Sequence, residues 1–137
     1  MKYLRDVMPI YKSENGDWID IRVPDDILVF KSQYIEVPMG IAVKLPEGYE
    51  AIVAPRSSTF RKWGVLFANS IGIIDNSYCG DDDEWHCLLY GTRDTVIPKN
   101  TRIAQFRVLK NQKVSEVLIS ESLGEVNRGG LGSTGSL

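Results

Sequence analysis

Histidine occurs once and cysteine twice in this chain, and that scarcity removes much soft-metal chemistry at the outset. A structural zinc needs about four ligands at recognised spacings. Cys79, His86 and Cys87 are too sparse a set, and they sit in a charged stretch, so neither a structural metal nor a disulfide is expected. Long hydrophobic runs are missing too. The opening residues, Met1-Lys-Tyr-Leu-Arg-Asp6, carry charge and lead into no apolar segment. Neither a secretory signal nor a spanning helix is expected, and the chain reads as intracellular, in the cytoplasm. Charge of one sign is also lacking: 16 basic and 18 acidic residues leave a formal net charge of −2. That balance speaks against a surface dedicated to nucleic acid or membrane. A small, locally charged ligand fits it better.

What the sequence does hold is enough apolar residue for a core, 43% of 137 positions with 25% charged, in a length suited to one domain. Short runs rich in Val, Ile, Tyr and Phe recur between Gly, Pro, Asn and Asp, and most alternate apolar with polar residues in the period of a strand. Strands are expected over Trp18–Val23, Asp26–Phe30, Tyr34–Leu45, Tyr49–Pro55, Val65–Ile74, Trp85–Tyr90, Asp94–Ile97, Thr101–Leu109 and Val114–Ile119. One short helix is expected over Ser58–Trp63, with a hydroxyl residue to cap it and Gly64 to stop it. The pattern is all-β, a jelly-roll or barrel-like sandwich of the β-clip kind. Val114–Ile119 reads either as a plain last strand or as one exchanged with a partner.

The last ten residues, Arg128-Gly-Gly-Leu-Gly-Ser-Thr-Gly-Ser-Leu137, cannot build a core. They do combine a guanidinium, hydroxyls and four of the 12 glycines, which lets successive backbone N–H groups curl around an anion. The chain therefore divides into a β domain, 1–127, and a mobile phosphate-binding flap, 128–137. A frayed end would have the same composition.

Three internal segments carry chemistry. Pro55-Arg56-Ser57-Ser58 opens the expected helix, where free N–H groups, Arg56 and two serines could receive an anion; plain capping with Arg56 in a surface ion pair is the other reading. In Asn69-Ser-Ile-Gly72-Ile-Ile74-Asp75-Asn-Ser-Tyr78-Cys-Gly80, a strand ends on a carboxylate able to orient a water, with an aromatic three residues on as a pocket wall. Asp75 is equally a normal turn former. In Arg102-Ile-Ala-Gln105, full extension would send Arg102 and Gln105 to opposite faces, one for the site and one for the fold.

Taken in order, Asp17–Asp20, Pro55–Ser58, Gly72–Gly80, Arg102–Gln105 and Arg128–Gly135 resemble the five motifs of the trimeric dUTPase family over nearly the whole chain. The resemblance implies hydrolysis of dUTP to dUMP and pyrophosphate, with Asp75 as the base that activates water. It implies that Tyr78 packs on the deoxyribose, and that Asn69 with the Gly72–Ile74–Asp75 backbone reads uracil. Arg56, Ser57, Ser58 and Gln105 would face phosphate, and Arg128, Gly132, Ser133 and Thr134 would close over the γ-phosphate. Asp20 would lie near the water shell of a Mg²⁺ chelated by the triphosphate. A homotrimer with shared sites is implied as well, leaving room for a regulatory protein partner.

The chain departs from that pattern at Leu131, where the family's flap carries a stacking Phe, and its flap is shorter. Leucine can cover a base but cannot stack on it through a ring quadrupole. Trp85, or a neighbour on the acidic turn Asp81–Glu84, is the candidate replacement, and a core position for Trp85 is the alternative. Two rival functions remain in view. A dCTP deaminase of the same fold would need a Glu as proton shuttle, for which Glu84 is the nearby candidate, and a nucleotide-sensing regulatory protein would bind without turnover.

Overall fold

The computed structural model describes residues 1–112 and 117–127, and every statement below concerns those residues. Strands β1 (Lys2–Tyr3), β2 (Tyr11–Lys12), β3 (Ile19–Arg22), β4 (Ile27–Val29), β5 (Tyr34–Pro38), β6 (Ile41–Ala42) and β7 (Tyr49–Pro55) precede the single helix α1 (Thr59–Trp63). Strands β8 (Val65–Phe67), β9 (Gly72–Ile74), β10 (His86–Gly91), β11 (Thr95–Ile97) and β12 (Arg102–Lys110) follow it. The largest sheet runs β2-β3-β12-β7-β9; β5-β10-β8 form a second, and β1-β6 and β4-β11 are two-stranded ribbons. All four pairings of the large sheet are antiparallel. No helix among the described residues is long and apolar enough to cross a membrane.

Alternation drives this arrangement. Along β7 the residues Ala51 and Val53 are buried while their neighbours are less so, and along β10 Cys87, Leu89 and Gly91 are buried between more exposed residues. The inward sets meet in one core that includes Ile21, Val23, Val37, Met39, Leu89, Ile103 and Phe106. Buried apolar area is the main favourable term in holding such layers together.

Two expected strands are broken in two. Tyr34–Leu45 is interrupted at Gly40, whose φ of +73° suits glycine; a Cβ there would also press on Val7 and Arg5 at 3.2 and 3.3 Å. Val65–Ile74 is interrupted by a turn with Ser70 at φ +65°. Hydrophobic runs conceal such breaks because periodicity does not register one residue in the left-handed region. Strands β1 and β2 have two residues each and leave no periodic trace. Of the expected strand Val114–Ile119, residues 114–116 lie outside the described set, and Val117–Ile119 form no strand, with Leu118 and Ile119 exposed. Their apolarity is not used for packing among the described residues.

Helix α1 forms where expected, but its cap differs. Ser58 is the N-cap and makes no side-chain cap bond. The neighbouring Thr59, 1% exposed, does the tying instead: its hydroxyl donates to Ile103 O at 2.7 Å and accepts from Arg56 N at 3.2 Å. Gly64 ends the helix in the left-handed conformation, φ 64°, donating to Phe60 O at 2.7 Å. Arg93 donates to the last carbonyls, Arg61 O and Lys62 O, at 3.2 and 2.7 Å, where a cation is favoured.

Candidate functional site

Sheet register brings three of the singled-out segments together. Gln105 stands directly between Asp20 on β3 and Ala54 on β7, and Arg56 follows immediately at the end of β7. Asp20, Arg56, Ser57 and Gln105, with Ser13, Gly16, Asp17 and Trp18, line a cavity of about 220 Å³. The Arg56 guanidinium meets Asp20 Oδ1 at 2.8 Å, and Arg102 Nη1 meets Oδ2 at 3.0 Å. Gln105 Nε2 donates to Pro55 O at 3.1 Å.

Arg102 and Gln105 do not divide between two faces. A register shift between Arg102 and Ala104 makes Ile103 and Ala104 both buried, so a bulge resets the alternation. Arg102 then reaches Asp20 while Gln105 lines the cavity beside it. A single bulged residue is invisible to a strict two-residue period.

Arg56 is held from behind as well as in front. Its backbone N–H is directed at Ile103 O at 3.3 Å and at the Thr59 hydroxyl at 3.2 Å, so Thr59 locks the turn that aims the guanidinium. The sequence offers a hydroxyl residue here only as a helix cap, and no local signal marks the Thr59 tie to Ile103, 44 positions away. Ser57 is exposed, and Ser58 is half-buried at the cap.

The second group lies elsewhere. Strand β9 pairs with β7 through Ala51↔Ile74, Ile52↔Ile73 and Val53↔Gly72, so Asp75 emerges beside the start of β7 and Arg56 at its end. Continuing the register sets Asp75 opposite Glu50, six positions from Arg56, which is about 20 Å along a strand. Asp75, Asn69 and Tyr78 are exposed, Gly72 and Ile74 half-buried. The turn after Asp75 is pinned by Asn76 Nδ2, which donates to Pro46 O at 2.6 Å and Leu45 O at 3.3 Å. Tyr78 N donates to Asp75 O at 3.1 Å, and its hydroxyl to Glu84 O at 2.9 Å.

A dUTPase family model matches residues 7–136. The chain belongs to the dUTPase family. This dUTPase-family chain is 47% identical over 137 residues, 99% of itself and 96% of its relative, to the SPbeta prophage-derived deoxyuridine 5'-triphosphate nucleotidohydrolase of Bacillus subtilis (strain 168). It is 38% identical to the deoxyuridine 5'-triphosphate nucleotidohydrolase of Hydrogenobaculum sp. (strain Y04AAS1), over 98% of itself and 96% of that protein. Its fold matches a Staphylococcus bacteriophage 80alpha dUTPase solved with dUpNHpp, with TM-score 0.79 at 19% identity, covering 98% of this chain and 96% of that one. It also matches the dUTPase from Streptococcus mutans, with TM-score 0.75 at 18% identity, over 82% and 96% of the two chains.

Against the family pattern, two expectations on the acidic turn are revised. Trp85 is 1% exposed and packs edge-on against Phe106, ring centroids 5.1 Å apart at 84°. It is a core residue and does not cover a base, because the strand alternation that begins at His86 turns it inward. The exposed ring there is His86, whose Nδ1 donates to the same Glu84 carbonyl at 2.9 Å. Glu84 is likewise committed: its carboxylate takes Arg5 at 2.6 and 3.0 Å and the Gly40 N–H at 2.9 Å. The hydrogen bond from Arg5 is the largest cause holding Glu84 below the usual carboxylate range, which is the opposite of what a proton shuttle near neutrality needs. The deaminase reading loses its candidate. Burial pushes the Cys87 thiol up to about 12, so it is no nucleophile. No group of three or more His, Cys, Asp or Glu among the described residues could cage a metal. Arg128, Gly132, Ser133, Thr134 and Leu131 lie outside the described residues.

Proposed function

We propose that the protein hydrolyses dUTP to dUMP and pyrophosphate, at sites completed by other copies of the chain. The observation that carries this is the cavity where Arg56, Ser57 and Gln105 converge around Asp20, in a chain of the dUTPase family. Guanidinium, hydroxyl and amide donors held by sheet register are suited to phosphate oxygens, and phosphoryl transfer depends on positioning and fixed charge more than on covalent help.

In this reading Asp75 accepts a proton from the water that attacks the α-phosphorus. The bond from that phosphorus to the bridging oxygen breaks and pyrophosphate leaves with the electron pair. Tyr78 walls the deoxyribose, Asn69 with the Gly72–Ile74 backbone reads uracil, and Arg128, Gly132, Ser133 and Thr134 close the flap. The distance of about 20 Å along β7 between the Asp75 and Arg56 regions supports assembly, since one chain alone cannot bring both to one phosphorus. Exposed apolar residues supply surface for it: Leu28 lies opposite Val96, and Tyr34, Tyr90 and Leu66 form one row across three strands. A homotrimer is the assembly proposed.

Asp20 is a hard oxygen donor in a neighbourhood with no soft ligand set, which fits Mg²⁺ arriving with the triphosphate and touching Asp20 through water. When bound, the ion would offset phosphate charge during the reaction. The protein's own part is to present Asp20 from β3 and to hold Arg56 and Arg102 beside it.

The test is to incubate the protein with Mg²⁺ and each deoxynucleoside triphosphate in turn. Formation of dUMP and pyrophosphate from dUTP alone is expected, with sedimentation at three chain masses. Ammonia released from dCTP, or binding of dUTP without product, would overturn the reading.

A further inference from the structure

The phenol of Tyr78 has one hydrogen-bond partner among the described residues, the backbone carbonyl of Glu84. How well the ring is placed therefore depends on how firmly that carbonyl is held. Glu84 ends the run Asp81-Asp-Asp-Glu84, where four carboxylates crowd one turn and repel each other. Each is handled differently. Asp81 and Asp82 are exposed, Asp83 accepts from Gly80 N at 2.7 Å, and Glu84 turns inward, its side chain 13% exposed.

Glu84 is gripped from the N-terminal segment. Arg5 approaches its carboxylate in the two-pronged geometry, Nε to Oε1 at 2.6 Å and Nη2 to Oε2 at 3.0 Å, the strongest arrangement available to that pair. Gly40 N–H adds a third bond at 2.9 Å. Arg5 is itself placed by Leu4 N donating to Gly40 O at 2.8 Å and by the pairing of β1 with β6. Lys2 reaches Asp81 at 3.9 Å, at the other end of the turn. The next residue, Trp85, is fixed by its N–H to Ile41 O at 2.9 Å. The Glu84 peptide is thus held by its side chain on one side and by the sheet on the other, with its carbonyl presented to Tyr78.

We propose that Arg5 and Glu84 are positioning residues for substrate recognition: the ion pair fixes the Glu84 carbonyl, the carbonyl orients the Tyr78 ring, and the ring discriminates deoxyribose from ribose. This rests on the reading of Tyr78 as the sugar wall. The clasp reaches the site from residues that belong to none of the segments lining it, and its action is on KM and sugar selectivity.

A double-mutant cycle tests it, with kcat and KM measured for dUTP and UTP. Arg5→Ala and Tyr78→Phe are each expected to raise KM for dUTP and to narrow the preference over UTP by roughly three- to tenfold, the scale of one hydrogen bond. Little change in kcat is expected. Combining them should be no worse than Tyr78→Phe alone, because the clasp has no other route to the sugar, and Arg5→Lys should restore part of the loss. Losses that multiply in the double variant, or that fall on kcat alone, would overturn the proposal. If Arg5→Ala does not fold, Glu84→Gln takes its place in the cycle, since it keeps an acceptor for Gly40 and weakens the Arg5 pair. Tyr78→Ala separates the two levels of the argument: unchanged sugar preference there would bring down the reading of Tyr78 and the clasp with it. Lost preference in Tyr78→Ala beside full preference in Arg5→Ala would bring down the clasp alone.

Discussion

Asp20 takes Arg56 on one carboxylate oxygen and Arg102 on the other, at 2.8 and 3.0 Å, with its own side chain 13% exposed. The carboxylate is the pivot that holds two guanidinium groups together beside the cavity. Asp20→Ala would leave both cations partly buried without their counter-charge, and a partly buried charged hydrogen bond is worth about 1–3 kcal/mol. Urea unfolding should show a loss of that order, and kcat/KM for dUTP should fall at least tenfold. Asp20→Asn should recover little of either, because it carries no charge and sets an amide NH2 against one of the two guanidinium groups.

Thr59 offers a cleaner separation of fold from site. Its hydroxyl is buried and bridges Ile103 O and Arg56 N, so Thr59→Val keeps the shape while leaving the buried Ile103 carbonyl with only the longer 3.3 Å bond from Arg56 N. The expected cost is about 1–3 kcal/mol in chemical denaturation, together with a higher KM for the triphosphate as the Arg56 turn loosens. Thr59→Ser, which preserves the hydroxyl, should restore KM ahead of stability because it lacks the packed methyl.

Much of this arrangement was legible in the sequence, and the gaps share a cause. Strand β7 was read with the bounds it has, Tyr49–Pro55, because alternation and flanking turns agree there. The helix is legible for a different reason, a hydroxyl residue to cap it and Gly64 to stop it. What escaped was anything set by one residue out of period: the break at Gly40, the turn at Ser70, and the bulge after Arg102 that puts Arg102 and Gln105 on the same business. For Trp85 the sequence leaves base cover and a core position both open, and the strand phase that exposes His86 decides for the core. Contacts between distant segments, such as Arg5 with Glu84, leave no local signature at all.

Asp75 is the group we propose for proton transfer. Asp75→Asn keeps size and hydrogen-bonding capacity but removes the base, so kcat should fall on the order of 10²-fold or more while KM for dUTP stays near its original value. Steady-state kinetics with pyrophosphate detection measures both. Because Asp75 is exposed at the end of β9, the variant should melt within a degree or two of the parent. Near-normal turnover would remove Asp75 from the role.

The two thiols should behave differently. Cys79 is half-buried in a cavity lined also by Lys2, Lys44 and Asp81, whereas Cys87 is buried and its thiol is pushed up to about 12. An aromatic disulfide reagent at pH 8 should therefore titrate one thiol per native chain, Cys79, and the second only after denaturation. Prompt native reaction at Cys87, located by peptide mapping, would contradict its burial in the core.

The Arg5 pair gives stability an acid limb whose sign can be worked out. Glu84 is held below the usual carboxylate range, chiefly by the hydrogen bond from Arg5, so the unfolded chain takes up a proton there at higher pH than the folded one. The pair's contribution is full above the ordinary glutamate value, about 4.3, and is lost as pH falls from there through the depressed folded value. Glu84→Gln should lower the melting temperature at pH 7 and reduce the gap to the parent as pH drops below about 4.3. A gap that stays constant from pH 7 down to pH 3 would mean that the charge on Glu84 adds nothing to the clasp beyond its shape.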